Sequence, residues 1–243
     1  MVAKKDSKNQ KTPKRNYFSH STSESAYSTN LSADTKMAEM KEIKLTYFNI
    51  MGLGETLRFM LSYMGKEFED FRIETFQEWT TKYKKTMPFG KLPLLEIDGK
   101  PYHQTMSLCR WLAKKCDLAG DNDDEALEID MMMDSFSDFR SMVWSYFYNS
   151  DKENKQRIRP RIIEQITPFY LKKFDDKIKE EGYLANGKLS WVDIYVVAVL
   201  GYFSFMIESD ICSTYENIRD LRDRVHAIPN IKKWVESRPE THW

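Results

Sequence analysis

The sequence predicts a small α/β domain followed by an all-helical one, on three observations. Short runs of alternating apolar and polar residues, the mark of half-buried strands, occur only between residues 43 and 103. Asp98-Gly99 lies between two of these runs and is a dipeptide favoured in two-residue hairpins. Beyond residue 121 apolar residues recur at helical spacing and no strand signal remains.

The elements follow in order. Ile43, Leu45 and Tyr47 alternate with Lys44, Thr46 and Phe48 in a first strand. Gly52 and Gly54 form a turn, and residues 55–64 read as an amphipathic helix with Leu57, Met60 and Leu61 on one face. A second strand covers residues 67–73, and a short helix is expected around Trp79 and Tyr83. Residues 92–97 and 100–103 make the hairpin, and residues 105–116 are helical again. The order βαβαββα begins with a parallel crossover. In the second domain residues 125–148 carry Leu127, Ile129, Met132, Met133, Phe136, Phe139 and Val143 at helical spacing. A helix over residues 158–181 should bend near Pro168, which removes one backbone hydrogen bond. Ser190 and Asp193 form a capping-box pattern ahead of the apolar run 194–200, the start of a buried helix. Residues 215–226 and 229–236 supply two more helices, with Pro229 suited to a first helical turn.

Domain boundaries are expected at 1–40, 41–120 and 121–243. Residues 1–40 are rich in Ser, Thr, Asn and Lys and lack periodicity, so disorder is expected there. Lys4, Lys5, Lys8, Lys11, Lys14 and Arg15 make the tail basic, a solvated segment or a weak electrostatic tether, and Met37 is a candidate alternative start.

The composition excludes several classes. The chain has 243 residues with 41% hydrophobic and 14% aromatic content, enough for a real core. Net charge is +0 and the pI about 6.9, so no overall field recruits nucleic acid or anionic membrane. Residues 194–205 are apolar-rich but too short to span a bilayer, and no apolar signal segment follows the N-terminal lysines. Cys109, Cys116 and Cys212 have no metal-ligand spacing and read as reduced structural thiols, so a cytoplasmic protein is expected. G-x-S-x-G, P-loop, H-E-x-x-H and CxxC patterns are absent. Of the histidines (His20, His103, His226, His242) only His103 falls near the candidate pocket, where a helix-start role suits it. The acidic run Asp121, Asp123, Asp124, Glu125 complements a helix dipole.

Three places suggest chemistry. A proline opening an interior strand at Leu92-Pro93 fits a cis bond or a sharp turn, leaving Leu92's main chain free for a peptide-like ligand; an ordinary edge proline fits as well. Gln104-Thr105 opens a helix whose unpaired N–H groups suit a carboxylate, and Thr105 equally suits a plain N-cap. Tyr47, taken singly, reads as a core tyrosine.

Joined by order and spacing these residues take on a different meaning. Tyr47-Phe48-Asn49, Met87-Pro88-Phe89-Gly90-Lys91-Leu92-Pro93, Leu95-Glu96-Ile97-Asp98-Gly99, His103-Gln104-Thr105 and Leu189-Ser190-Trp191-Val192-Asp193 resemble a cytosolic glutathione transferase, in detail the sigma class and its insect members. The resemblance runs from about Lys41 to the C-terminus. It implies a thioredoxin-like N-terminal domain, an all-α C-terminal domain, a homodimer, and glutathione as co-substrate. By the same resemblance Tyr47 donates a hydrogen bond to the glutathione sulfur and Leu92 pairs with the cysteinyl backbone. Gln104 and Thr105 hold the γ-glutamyl end, Trp79 and Lys84 the glycyl carboxylate, and Lys91 joins the glutathione-binding set. Asp138 reaches the partner subunit's glutathione. Many sigma enzymes carry an arginine soon after the tyrosine; Leu53 stands here, as in insect relatives. Ser137 replaces an acid that some prostaglandin-isomerising members use for a divalent metal, so no metal is expected. Leu53, Met142, Tyr146, Tyr202 and Phe203 are candidate walls of a pocket for small hydrophobic electrophiles, and each equally suits helix packing. The implied activity is conjugation of glutathione to electrophiles such as lipid-peroxidation aldehydes. The alternatives are isomerisation of a prostaglandin endoperoxide and a non-catalytic role of crystallin type.

Overall fold

The computed structural model describes residues 40–241. The expectations for the basic tail, Met37, His20 and His242 lie outside the described residues. Met40, assigned above to the tail, is buried with the core.

Four strands form one mixed sheet in the order β2-β1-β3-β4. β1 (Ile43–Phe48) runs parallel to β2 (Glu69–Ile73) and antiparallel to β3 (Leu94–Ile97), which pairs antiparallel with β4 (Lys100–His103). The crossover between β1 and β2 is α1 (Gly54–Tyr63). Asp98 and Gly99 both have positive φ (50° and 76°), as a two-residue hairpin with right-handed twist requires. Asp98 also caps the start of β1, its Oδ1 accepting from Lys41 and Glu42 N–H at 3.1 and 3.0 Å. β3 opens at Leu94 rather than at residue 92, because Pro93 has no N–H to give the ladder. Around Trp79 a short helix α2 (Phe76–Glu78), capped by Thr75, widens into a π-helical turn, Trp79–Tyr83. α3 (Thr105–Ala113) packs on α1 and ends before the expected residue 116.

The second half is helical: α4 (Asp123–Phe147), α5 (Lys152–Pro160), α6 (Thr167–Glu181), α7 (Trp191–Ile207), α8 (Ile211–Thr214), α9 (Glu216–His226) and α10 (Pro229–Ser237). α4 starts two residues before the expected 125, since Asn122 is its cap and accepts from Glu125 N–H at 3.0 Å. The single helix expected over 158–181 is two, joined by a π-helical segment, Arg161–Ile166. Pro168 cannot donate to the carbonyl four residues back, and the helix widens ahead of it so that Thr167 N–H reaches Ile162 O. α5 begins at Lys152 because Asp151 caps it, accepting from Asn154 N–H at 3.0 Å.

α7 is the axis of the molecule, packed against α1 on one side and α4 on the other. Its start is held by Asp193, whose carboxylate accepts from Leu184 N–H (2.8 Å), Ser190 N–H (2.8 Å) and Ser190 Oγ (2.9 Å). Burial pushes the Asp193 carboxyl up to about 6, against these donors, which favour the anion. No helix among the described residues is long and apolar enough to cross a membrane.

Candidate functional site

Tyr47, the last residue but one of β1, has its side chain buried, 5% exposed, against the turn that leads into α1. Its hydroxyl oxygen accepts the Leu53 N–H at 3.1 Å, leaving the hydroxyl proton to be donated elsewhere. The ring fits because the turn carries glycines. A Cβ on Gly54 would lie 2.5 Å from Tyr47 Cδ1, and one on Gly52 would lie 2.8 Å from the phenolic oxygen. Gly52 also has φ +45°, a conformation other residues adopt at a cost. Burial pushes the Tyr47 phenol up to about 12, a rise that outweighs the lowering by the Leu53 N–H and the smaller electrostatic effects of Tyr148, Arg58 and Arg140. At neutral pH the group is therefore a hydrogen-bond donor and not a base.

A buried ion network fixes the turn from below. Arg58, fully buried, donates to Ile50 O at 2.9 Å, to Glu55 at 3.1 Å and to Asp70 at 2.9 Å. Glu55 also accepts from Trp234 Nε1 (2.8 Å) and Arg238 (2.6 Å), tying the turn to the end of the chain. The sequence reading assigned neither Glu55 nor Arg58 a role. Their i, i+3 spacing on an amphipathic helix is also that of an ordinary solvated pair.

Beside Tyr47's partner Leu53 lies a cleft of about 360 Å³ lined by Lys91, Leu92, Pro93, His103, Gln104, Thr105, Met106 and Arg140, among others. Leu92–Pro93 is cis, and no main-chain group of the described residues pairs with Leu92. Gln104, at φ 76°, turns the chain into α3, whose first main-chain bond is Leu108 N–H to Gln104 O at 3.0 Å. The N–H groups of Thr105, Met106 and Ser107 are thus left for a ligand, at the positive end of a nine-residue helix. Thr105 is buried at the start of α3, its hydroxyl without a hydrogen-bond partner among the described residues. Lys91 is exposed, and Phe89, 82% exposed, stands at the cleft edge against His103 with ring centroids 5.2 Å apart. Trp79 and Lys84 lie outside this cleft. Trp79 is buried edge-on to Phe48 (5.6 Å), and Lys84 is exposed with its main chain beside Gly90. Asp138 is exposed on α4 and does not line its own chain's cleft.

For the electrophile walls the structure agrees only in part. Leu53 lines the cleft, and Tyr202 touches the hydroxyl of Tyr148 and meets Trp144 edge-on at 6.0 Å. Trp144 stacks on Tyr148 at 5.9 Å, and the Arg140 guanidinium lies 5.7 Å from the Trp144 ring. Phe203 sits in the helical core against Phe136 (5.2 Å) and Phe139 (5.6 Å), the helix-packing alternative. Tyr146 is 2% exposed with the Lys155 ammonium 5.1 Å from its ring. Met142 is half-buried and packs on the core. Sequence reasoning missed Arg140, Trp144 and Tyr148. They stand four residues apart, one stripe along α4, and that spacing was the available signal. Among the described residues no group of three or more His, Cys, Asp or Glu is arranged to hold a metal ion.

Two family models match, the glutathione S-transferase N-terminal domain over residues 43–114 and the C-terminal domain over residues 137–238. The chain is 39% identical over 198 residues to glutathione S-transferase S1 of Drosophila melanogaster, covering 81% of this chain and 79% of that one. It belongs to the glutathione S-transferase family. The rat (Rattus norvegicus) hematopoietic prostaglandin D synthase is 32% identical over 203 residues, 83% of this chain and 99% of the relative. The solved structure of prostaglandin synthase D of Nilaparvata lugens superposes with a TM-score of 0.78 at 48% identity, covering 83% of this chain and all of that one. The glutathione S-transferase fold, a thioredoxin-like domain followed by a helical one, is the architecture described above, and the family uses glutathione as co-substrate.

Proposed function

We propose that this glutathione S-transferase is a cytoplasmic, sigma-class homodimer that conjugates glutathione to small hydrophobic electrophiles, lipid-peroxidation aldehydes among them. The observation that carries the reading is the Tyr47 hydroxyl: buried, oriented by the Leu53 N–H, and kept protonated with its hydrogen free. A free thiol has a pKa of about 8.5 and is mostly protonated at neutral pH. A donor aimed at sulfur favours the anion, and each unit of lowering corresponds to about 1.4 kcal/mol. The neighbouring cleft suits the rest of the tripeptide. Leu92's unpaired main chain fits the cysteinyl backbone, and the open N–H groups of α3 with the Gln104 side chain and the Thr105 hydroxyl fit the γ-glutamyl carboxylate. Lys91, Lys84 and Trp79 are assigned to the glycyl end, and Asp138 to the partner's ligand. In the reaction the sulfur lone pair forms a C–S bond to the electrophilic carbon. The displaced π electrons move onto the aldehyde's conjugated carbonyl, which takes a proton from water.

Trp144, Tyr148 and Tyr202 form the aromatic surface for the apolar part of the acceptor. Isomerisation of a prostaglandin endoperoxide is the second reading, favoured by the prostaglandin D synthases among the relatives. Assaying the purified full chain with a chlorinated nitrobenzene, a panel of unsaturated aldehydes and a prostaglandin endoperoxide separates them. Conjugation with the first two supports transfer, and turnover of the endoperoxide alone supports isomerisation. Binding to immobilised glutathione without any turnover would overturn both in favour of a ligand-holding protein.

A further inference from the structure

We propose that Arg140 supplies positive charge that stabilises the ligand's thiolate in this cleft. The inference rests on the glutathione-transferase reading and names a residue for it.

The geometry argues as follows. Arg140 projects from α4 into the cleft that also contains Leu53, Gln104 and Thr105. Its guanidinium is held by neutral groups: Nη1 donates to the Tyr195 hydroxyl of α7 at 2.6 Å, and Nη2 lies 3.3 Å from Ser137 Oγ and 3.9 Å from Met106 Sδ of α3. No carboxylate of the described residues is within ion-pair distance of it, Asp138 two positions earlier included. The other arginine lining the cleft, Arg110, is already engaged by Asp130 at 2.8 Å. Lys91 and His103 are the other basic side chains of the lining. Arg140 is therefore a half-buried cation with its position set and its charge uncompensated, which is costly unless an anion arrives. Leu53 lines the same cleft and its N–H lies 3.1 Å from the Tyr47 hydroxyl, so the guanidinium and the phenol border the place where the sulfur is to lie. In the step itself the S–H bond breaks, its electron pair stays on sulfur and the proton passes to water. Arg140 keeps its own protons throughout, as a guanidinium does.

The test is a pH titration of thiolate ultraviolet absorbance in the glutathione complex of the wild type, Arg140→Gln, Arg140→Lys and Tyr195→Phe. Expected for R140Q is a rise of about one unit in the bound thiol's pKa, hence about tenfold less thiolate on the acid side. The kcat/KM profile should shift by the same amount, converge with the wild type at high pH, and leave the KM for glutathione within about twofold. R140K should recover most of the shift. Y195F, which keeps the charge but removes the group holding it, should fall between. A bound thiol pKa in R140Q equal to the wild type's overturns the role, and a raised KM alone would assign Arg140 to a ligand carboxylate instead. Thermal melts of each variant identify any that fails to fold, and R140K and Y195F then decide. If the wild type binds no glutathione, the transferase reading itself fails, an outcome distinct from a normal wild type with an unshifted R140Q.

Discussion

Tyr47 has a hydroxyl with one incoming donor, the Leu53 N–H, and one proton left to give. Replacing it by phenylalanine removes only that oxygen from a buried ring, so the fold should persist, with the Leu53 N–H losing its acceptor. Tyr47→Phe is expected to lower kcat/KM at neutral pH by about 10- to 100-fold, the effect of one or two units of thiol pKa, with the glutathione KM nearly unchanged. The pH profile carries a second expectation. Burial holds the Tyr47 phenol up at about 12, so the donor is intact across the working range. In the wild type kcat/KM should therefore rise with pH through the thiol's ionisation and then plateau. An alkaline decline centred well below pH 11 would mean that another group is the donor. Gly54 tests the same ring from its other side. Gly54→Ala puts a methyl 2.5 Å from Tyr47 Cδ1, which forces the phenol off its position. An activity loss of at least about tenfold is expected while the protein still folds, since misplacement by an ångström costs up to about a hundredfold. Near-wild-type turnover in G54A would show that the phenol's position is not critical.

At the scale of elements, legibility followed how local each signal was. Ser190 and Asp193 marked the start of α7, and Asp98-Gly99 the hairpin, because caps and turns are decided within four residues. The bend expected near Pro168 took the form of a π-helical segment ahead of it, because a proline can end a helix, kink it or widen it, and the packing around it decides among these. The electrophile walls were harder to read for a related reason. Residues 138, 142 and 146 and residues 140, 144 and 148 are both four-residue stripes along α4, and only the placement of α7 decides which one faces Tyr47. Met142 and Tyr146 belong to the first stripe, Arg140, Trp144 and Tyr148 to the second. Phe203 stands next to Tyr202 on α7 and faces the core instead. The elements around the candidate cleft were more legible, because a proline, a turn and a helix start are local signals. α7 provides the stability test at this scale. Asp193→Ala leaves three buried donors without an acceptor, two of them N–H groups that cannot turn elsewhere. A loss of about 2–4 kcal/mol in urea unfolding is expected, with the N-terminal turn of α7 first to lose hydrogen-exchange protection. A loss below about 0.5 kcal/mol would mean that water replaces the carboxylate freely.

The whole molecule raises the question of what a single chain lacks. Asp138 is exposed and outside its own cleft, yet the glutathione-site assignment gives it a ligand contact. Phe89, Leu127 and Met131 are also exposed, at 82%, 58% and 59%, with Phe89 at the cleft edge where a second chain can cover it. Both facts are accounted for if each cleft is completed by a two-fold partner. A mixing experiment decides between action within the chain and action across it. Tyr47→Phe and Asp138→Ala homodimers should each be impaired. In a hybrid of the two, a cross-chain Asp138 leaves one cleft with both defects and the other with neither. Dissociating and reassociating an equal mixture makes half the dimers hybrids, so about a quarter of the wild-type activity should return. If Asp138 acted within its own chain, every cleft of the hybrid would keep one defect and mixing would yield only the average of the two parents. Phe89→Asp supplies the control. It should leave monomers in sedimentation, and in that background mixing the two variants should restore nothing. Recovery there would show that no shared interface is needed.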